Sequence, residues 1–184
     1  MKVISGILKG RNIKGYDIDG TRPTMDRVKE SLFASIQDYI SGSIVLDLFA
    51  GSGNLGIEAI SNGSKKCYFV DNNKNCIKVI NDNINNFNIG DKCEVLNRDY
   101  KLALKYFCDN NIKFDLILVD PPYDYEVINE IMDLVLEYEL LNDNGIIVLE
   151  YRKDKIKEYK KYEILKFKKY GDKFISIYKF KKNS

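Results

Sequence analysis

Short apolar runs alternate with helical segments over most of the chain, and this alternation limits the possible folds more than any other feature. Five runs have the character of buried strands: "SIVLDLF" (43–49), "KCYFVD" (66–71), "CEVLNRD" (93–99), "FDLILVD" (114–120) and "GIIVLEY" (145–151). The segments between them are predicted to be helices, at 54–63, at 74–87, and near 100–109 and 126–139. Since strands that alternate with helices form a parallel sheet covered on both faces, we predict a doubly wound α/β fold.

The two ends of the chain break the alternation. In the tail "YEILKFKKYGDKFISIYKF" (162–180), two apolar–polar runs leave no room for a helix around Gly171-Asp172, which predicts an antiparallel hairpin. Residues 1–24 are Gly-rich and basic and predict an appendage or short β-hairpin. A helix, "MDRVKESLFASIQDYI" (25–40), follows, with Thr24 or Asp26 as its cap. We therefore expect an N-terminal extension (1–24) and one main domain (25–184).

Length and composition agree with a globular protein, since 45% of the 184 residues are hydrophobic. We find no signal peptide and no apolar run of about 18 residues, so we expect a cytoplasmic protein that does not enter membranes. The chain has no histidine, which excludes a mechanism that needs an imidazole base. The cysteines at positions 67, 76, 93 and 108 form no CxxC pair, so we expect free thiols and no metal site.

The net charge of +2 hides an uneven distribution of charge. Residues 151–184 carry thirteen Lys and Arg against four Asp and Glu, and residues 1–30 carry seven against four. The segment between them carries nine against nineteen. Basic ends on an acidic body are typical of a protein that attracts a polyanion such as nucleic acid. The alternative is that the lysines only keep strand and helix surfaces solvated.

The segment "DLFAGSGNLG" (47–56) places a glycine-rich loop between the first strand of the alternation and its helix. Gly51, Gly53 and Gly56 have the GxGxxG spacing, which lets a ligand approach the loop backbone and the helix N-terminus. The spacing alone fits both a nicotinamide dinucleotide and S-adenosylmethionine.

Acidic residues at the strand ends favour S-adenosylmethionine. Asp47 stands where a carboxylate can attract the amino group of this methyl donor, whereas a dinucleotide pyrophosphate would meet a negative charge there. Asp71 can bind the two ribose hydroxyls, and Asp99 can accept the adenine amino group. The alternative for each acid is an ordinary turn or helix cap. The predicted cofactor site consists of Asp47, Phe49, Ala50, Gly51, Ser52, Gly53, Asp71, Asn72 and Asp99.

The fourth predicted strand runs into "DPPY" (120–123), beside the glycine loop at the switch point of the sheet. The exocyclic amine of a nucleobase is a poor nucleophile, because its lone pair is delocalised into the ring. Asp120 and the carbonyl of Pro121 can each accept one N–H bond and aim that lone pair at the donor's methyl group. Pro121 and Pro122 keep the backbone rigid, and Tyr123 can stack on a base that has been flipped out. These four residues form the predicted catalytic site.

Longer segments of the chain resemble one enzyme family. "SGILKGRNI", "TRPTMDRVKESLF", "VLDLFAGSGNLGIEAIS", "LVDPPY" and "KKYGDKFISIY" together resemble RsmD, the 16S ribosomal RNA guanine-N2 methyltransferases, nearly from end to end. The resemblance implies a seven-stranded class I methyltransferase sheet, Rossmann-like and preceded by a short RNA-facing extension. It also implies methylation of a guanine N2, at guanine 966, in 16S rRNA or the small ribosomal subunit. Since a small basic enzyme with one site needs no partner subunit, we expect a monomer.

The resemblance extends to residues outside the catalytic motifs. Arg11, Arg22 and Arg27 match basic positions of the family, which implies contacts with RNA phosphates. For Arg22, local sequence offers a structural alternative, in which the segment Arg22-Pro23-Thr24 caps the following helix. At position 173 the family more often has a small hydroxyl residue, whereas this chain has lysine.

Three other interpretations of these motifs remain open. A DNA or RNA adenine-N6 methyltransferase would use the same "DPPY" segment. An NAD-linked oxidoreductase would use the glycine loop, but the chain lacks a histidine and an obvious Tyr-x-x-x-Lys pair. A non-catalytic RNA-binding module would leave both motifs unexplained.

Overall fold

A seven-stranded mixed sheet forms the centre of the molecule. The structure, a computed structural model, describes residues 1–15, 22–122, 125–152 and 158–182, with only the backbone of residues 22–24 and 125. The strands are β1 (Ile44–Leu48), β2 (Lys66–Asp71), β3 (Cys93–Asn97), β4 (Phe114–Val119), β5 (Leu141–Tyr151), β6 (Tyr162–Tyr170) and β7 (Lys173–Phe180). Their order in the sheet is β3-β2-β1-β4-β5-β7-β6.

Strand directions divide the sheet into two parts. The first five strands pair in parallel, whereas β7 is antiparallel to both β5 and β6. This arrangement confirms the predicted doubly wound sheet with an antiparallel C-terminal hairpin.

Helices cover both faces of the sheet, as predicted. They are α1 (Arg22–Ile36), α2 (Asn54–Ser61), α3 (Lys74–Phe87), α4 (Tyr100–Asp109) and α5 (Tyr125–Glu137), with 3-10 turns at Gln37–Tyr39 and Gly90–Lys92. The predicted start of the first helix was wrong, because α1 begins at Arg22. Thr24 and Asp26 therefore lie inside the helix and do not cap it. Pro23 is compatible with this position, since the first backbone N–H groups of a helix have no partner inside it.

Alternate residues of each central strand enter two separate apolar layers. Val45 and Leu116 face α1, α2 and α3, which contribute Phe33, Ile57 and Ile84 to the same layer. Leu46 and Ile117 face α4 and α5, which contribute Phe107 and Ile131. Because both faces of the central strands are covered, these strands are mainly apolar rather than alternating, with Asp47 in β1 and Asp115 in β4 as the exceptions.

Residues 1–15 pack against the sheet domain, although they contain little regular structure. Their β-structure is limited to one antiparallel bridge between Lys2 and Asn12. Val3, Leu8 and Ile13 are buried in the layer that contains α1, α2 and α3. The division of the chain at residue 24 remains a prediction.

A buried ion pair fastens this N-terminal segment to two helices. The Glu58 carboxylate of α2 accepts hydrogen bonds from the backbone N–H groups of Ile4 and Ser5. It also lies 2.9 Å from the Lys29 ammonium of α1, and both side chains are almost completely buried. Breaking such a pair leaves a buried charge without its partner, at a cost of about 3–5 kcal/mol. The pair therefore fixes α1, which forms one wall of the pocket described below.

All four cysteines are free thiols, as predicted. Among the helices in the described ranges, none is long and apolar enough to cross a membrane.

Candidate active site

The carboxyl ends of β1 to β4 meet at one edge of the sheet, because these strands are parallel. β2 and β3 follow on one side of β1, whereas β4 and β5 lie on the other side. The strand order thus reverses between β1 and β4, and open α/β sheets bind ligands in the crevice at such a point. The glycine loop after β1 and the Asp120 segment after β4 lie next to each other there.

A pocket with a cavity of about 170 Å³ lies at this switch point. The predicted cofactor residues that line it are Asp47, Phe49, Ala50, Gly51 and Ser52. The predicted catalytic residue Asp120 lines it as well. Because one pocket is bounded by both sets of residues, a bound donor and the group that receives the methyl can meet there.

The backbone of the glycine loop faces the open part of the pocket. Gly51 has a φ of +60°, and a Cβ at this position would meet no atom within 4 Å. Phe49, with a φ of 64°, has the left-handed conformation without being a glycine. A non-glycine residue in this region is strained and is found most often at functional sites.

The third glycine of the loop has a packing role. A Cβ at Gly56 would lie 2.3 Å from the Phe69 ring and 2.7 Å from Cys67 Sγ. Only glycine therefore lets α2 lie this close to β2, which agrees with the known purpose of the third glycine in this spacing. The position of α2 determines where the glycine loop ends.

Asp47 is a buried acid below the loop, with an exposure of 2%. Its Oδ2 accepts a hydrogen bond of 2.9 Å from the backbone N–H of Gly56. Burial raises the pKa of Asp47 well above its usual value; the Gly56 hydrogen bond opposes this shift, and the charges of Asp120 and Asp71 add to it. A cation in the pocket would relieve this cost, and the donor's ammonium group is such a cation.

Asp71 and Asp99 both have structural partners. Asp71 accepts hydrogen bonds of 2.9 Å from the backbone N–H groups of Gly51 and Asn73, so it holds the glycine loop against the start of α3. Asp99 caps α4 by accepting from the backbone N–H of Lys101. Neither contact uses all the acceptor positions of a carboxylate. Their predicted contacts with ribose and adenine, and those of Gly53 and exposed Asn72, remain predictions.

Asp120 follows β4 at the mouth of the pocket. Asp120 is exposed as a residue, but the protein atoms around its carboxyl group remove much of the hydration of that group. This desolvation and the Glu150 charge raise the pKa of Asp120 to about 7, while Lys173 and Arg152 act against the shift. Pro121 is half-buried and Pro122 is exposed. Tyr123 lies outside the described residues, so its stacking role remains a prediction.

Glu150 and Lys173 belong to the pocket, although the motifs did not indicate them. Lys173 Nζ donates to Glu150 Oε1 at 2.5 Å, and Glu150 is 8% exposed. A signal was present, because Glu150 ends the apolar run "GIIVLEY", where a carboxylate needs a buried partner. Its partner was not apparent, since the pairing of β5 with β7 brings together residues from separate parts of the chain.

The three arginines predicted to contact RNA differ in their surroundings. Arg11 donates to the Asn86 carbonyl at 2.7 Å and stacks on the Phe87 ring at 4.6 Å. These residues end α3, so Arg11 links the N-terminal segment to that helix. Arg27 is exposed on α1, whereas the side chain of Arg22 is outside the described residues. RNA contacts of all three remain predictions.

Within the described ranges, no group of three or more Cys, Asp or Glu side chains is placed to hold a metal ion.

A solved structure supports the class that the sheet order and the pocket indicate. The "putative methylase HI0767 from Haemophilus influenzae" is 30% identical to this chain, with a TM-score of 0.79 and coverage of 96% of both chains. The sheet order, the glycine loop and the acid after β4 define a class I methyltransferase, the class whose methyl donor is S-adenosylmethionine.

Sequence relatives give the particular family. The family model described as "Conserved hypothetical protein 95" matches residues 1–179. The "Putative rRNA methyltransferase YlbH" of Bacillus subtilis is 40% identical over 137 residues, 74% of each chain. The "Ribosomal RNA small subunit methyltransferase D" of Haemophilus influenzae is 33% identical over 156 residues, 84% of this chain and 80% of the relative. The chain belongs to this family, the RsmD family that its motifs indicated.

Proposed function

We propose that the protein transfers a methyl group from S-adenosylmethionine to the exocyclic N2 amine of a guanine in small-subunit ribosomal RNA. The observation that carries the proposal is the position of Asp120, which lies directly after β4 and lines one pocket together with the glycine loop. Pro121 is the next residue in the chain. The names of the relatives support an rRNA substrate. The resemblance to RsmD further suggests the guanine N2 and the site of guanine 966.

The residues of the glycine loop and Asp47 fit the donor. S-adenosylmethionine supplies an electrophilic methyl group on a sulfonium. Asp47 offers a buried negative charge to the donor's ammonium group, and the open face of Gly51 lets the loop backbone approach it. Asp71 and Asp99 are proposed to bind its ribose and its adenine, through carboxylate oxygens that their structural contacts leave available.

Asp120 and Pro121 are proposed to activate the acceptor amine. The Asp120 carboxylate and the Pro121 carbonyl each accept one N–H of the amine, which localises the nitrogen lone pair and directs it into the pocket. The ionised carboxylate is a stronger acceptor than the neutral acid, so its pKa of about 7 matters for turnover. After transfer the nitrogen is positively charged and loses a proton readily, and therefore no histidine base is required.

The acceptor base must leave its stack to reach Asp120, as it does in other enzymes that modify bases. Tyr123, next to Pro122, is proposed to stack on the flipped base. Because an adenine N6 amine would satisfy the same two acceptors, the choice of guanine depends on contacts outside Asp120 and Pro121.

Two measurements test the proposal. Calorimetry with S-adenosylmethionine and with NAD should show binding of the first only. Radiolabelled donor is then offered with unmodified small ribosomal subunits, naked 16S RNA and duplex DNA in parallel. Label in the RNA samples supports the proposal. Label in DNA alone would indicate an adenine-N6 methyltransferase that activates its amine in the same way. Donor binding without transfer to any acceptor would contradict the proposed substrate.

A further inference from the structure

Two lysines of the edge strand β6 point toward α1 and converge on one serine. Lys166 Nζ and Lys168 Nζ each donate to Ser35 Oγ at 3.2 Å. Lys168 Nζ also donates to Ser31 Oγ at 3.2 Å. The two ammonium nitrogens are therefore separated by at most about twice that distance. Like charges repel at this separation, so the arrangement raises the question of what compensates them.

Neutral hydroxyl groups are the partners of these two lysines. In the described part of the chain, no carboxylate lies within ion-pair distance of Lys166 or Lys168, whereas Lys173 and Lys179 on β7 pair with Glu150 and Glu163. Lys166 is exposed, and Lys168 is partly exposed. The charge at this position is thus concentrated and accessible, which is the arrangement that attracts an anion.

The groove between α1 and β6 leads to the active-site pocket. Leu32 lines both the groove and the pocket. Tyr170, at the end of the groove, pairs in register with Lys173, which lines the pocket. Exposed Arg27 precedes Ser31 by four residues, so the two lie on one face of α1. The groove thus shares the wall residue Leu32 with the pocket and carries Lys166 and Lys168, and Arg27 is exposed on the same helix, α1.

We propose that this groove binds the phosphates of the RNA strand that carries the target base. RNA fits better than an acidic protein segment, because the groove joins the pocket in which a nucleobase is proposed to react. Contacts with phosphates position a nucleic acid without reading its sequence. The proposal rests on the RNA substrate proposed above, and it adds the path by which the strand reaches Asp120.

Binding of the double variant Lys166→Gln/Lys168→Gln to a fluorescent fragment of 16S RNA tests the proposal. Loss of two phosphate contacts should weaken binding on the order of tenfold at 0.1 M salt and reduce the salt slope by about 1.4 to 1.8. Methyl transfer at saturating RNA should stay within a few-fold of the unmodified enzyme. Retained donor binding and an unchanged Tm show that the variant is folded.

A matched control removes the same charge elsewhere on the hairpin. Lys161 and Lys181 are exposed at the opposite end of the β6–β7 pair, where the Lys181 backbone N–H donates to the Lys161 carbonyl. Lys161→Gln/Lys181→Gln should bind RNA nearly as the unmodified protein does. If the two double variants lose the same amount of RNA affinity, the lysines attract RNA through their overall charge. The proposal of a specific groove is then wrong.

The outcomes separate this inference from the proposed function. Suppose that the unmodified protein binds RNA and that Lys166→Gln/Lys168→Gln binds it with the same affinity and salt slope. RNA binding by the groove is then excluded, even if the protein methylates RNA. If the groove substitutions weaken RNA binding but the unmodified protein never methylates RNA, the proposed function is wrong, whereas phosphate binding by the groove is supported. Polyglutamate serves as a further probe. A groove variant that loses polyglutamate but retains RNA would indicate an acidic protein partner and overturn the proposal.

Discussion

The Lys173 ammonium lies 2.5 Å from Glu150 Oε1, and this pair lines the pocket beside Asp120. The two residues come from adjacent antiparallel strands, β7 and β5. They act on Asp120 in opposite directions, since the Glu150 charge raises the pKa of Asp120 and the Lys173 charge lowers it. Burial is the largest cause of the raised pKa of Asp120, and the ion pair adjusts how much of the carboxyl group is ionised near neutral pH.

Turnover is expected to fall as the pH decreases through about 7, because protonated Asp120 is a weaker acceptor and no longer supplies a negative charge beside the amine. Lys173→Met removes a charge that lowers the pKa of Asp120, so the acidic limb of the kcat profile should move to higher pH. Glu150→Gln removes a charge that raises the pKa, so the limb should move to lower pH. The measurement is the pH dependence of kcat in each protein.

Few other groups can produce a limb near pH 7, since the chain has no histidine. Asp47 also has a raised pKa, but Asp120 and Asp71 are the charges that add to its shift. Lys29 in the pocket wall is paired with Glu58, and Arg152 acts on Asp120 in the same direction as Lys173. If both variants have lower turnover but the acidic limb of the kcat profile stays at the same pH, Glu150 and Lys173 have only a structural role.

Asp120→Asn should lower kcat by about a hundredfold or more while donor binding is retained, because it removes a charged acceptor that acts on the reacting amine. Single-turnover transfer and donor calorimetry measure the two effects. Asp143→Asn is a suitable control, since Asp143 is exposed near the start of β5, away from the pocket. Turnover of Asp120→Asn within a few-fold of the unmodified enzyme would exclude the proposed activation of the amine.

The same substitution should affect stability with a definite sign. The folded protein raises the pKa of Asp120 from 3.8 to about 7, so this group favours folding at low pH, and its contribution is lost as the pH rises through about 7. The ligand-free Asp120→Asn variant should therefore have a Tm at pH 8 that is at least as high as that of the unmodified protein. A lower Tm would mean that the carboxylate has a stabilising partner in the folded state.

Asp47→Asn should weaken donor binding and stabilise the ligand-free protein. A hydrogen bond to a charged group contributes about 1.5–3 kcal/mol, which corresponds to a loss of donor affinity between about tenfold and a hundredfold. The asparagine oxygen can still accept from the Gly56 N–H, while the cost of burying a charge is removed. Calorimetry and thermal unfolding at pH 8 measure the two effects, and unchanged donor affinity would remove Asp47 from the cofactor site.

Gly56→Ala should destabilise the protein, because the added Cβ would lie 2.3 Å from the buried Phe69 ring. Overpacking of this kind costs about 1–3 kcal/mol, and Tm decreases by roughly 2–4 °C per kcal/mol in a domain of this size. Gly90→Ala is the control, since its Cβ would meet only Ile84 Cγ2 at 3.8 Å. A Gly56→Ala protein as stable as the control would show that α2 can move away from β2 without cost.

The parts of the molecule that follow from local sequence could be predicted. Burial on both faces makes the parallel strands continuously apolar, so their positions and the acids at their ends, such as Asp47 and Asp120, were evident. Glycine spacing indicated the loop, and the short link at Gly171 indicated the hairpin.

Features that depend on packing between distant segments could not be predicted. The Lys29–Glu58 and Lys173–Glu150 pairs join residues that are far apart in the chain. Strand register and helix rotation bring these residues together, and no local sequence pattern specifies either of them. The contacts of Arg11 with Asn86 and Phe87 at the end of α3 were likewise not predictable, because they join segments far apart in the chain. Its predicted contact with RNA remains a prediction. The start of α1 was missed because Thr24 and Asp26 were taken as candidate helix caps, whereas the helix begins at Arg22.

Identification of the methylated nucleoside tests the central claim most directly. Small-subunit RNA that has been labelled by the protein from S-adenosylmethionine is digested completely, and the labelled nucleoside is identified by chromatography and mass spectrometry. The proposed function predicts N2-methylguanosine, formed by the unmodified enzyme and nearly absent with Asp120→Asn. N6-methyladenosine, or a product that Asp120→Asn forms at the same rate, would contradict the account.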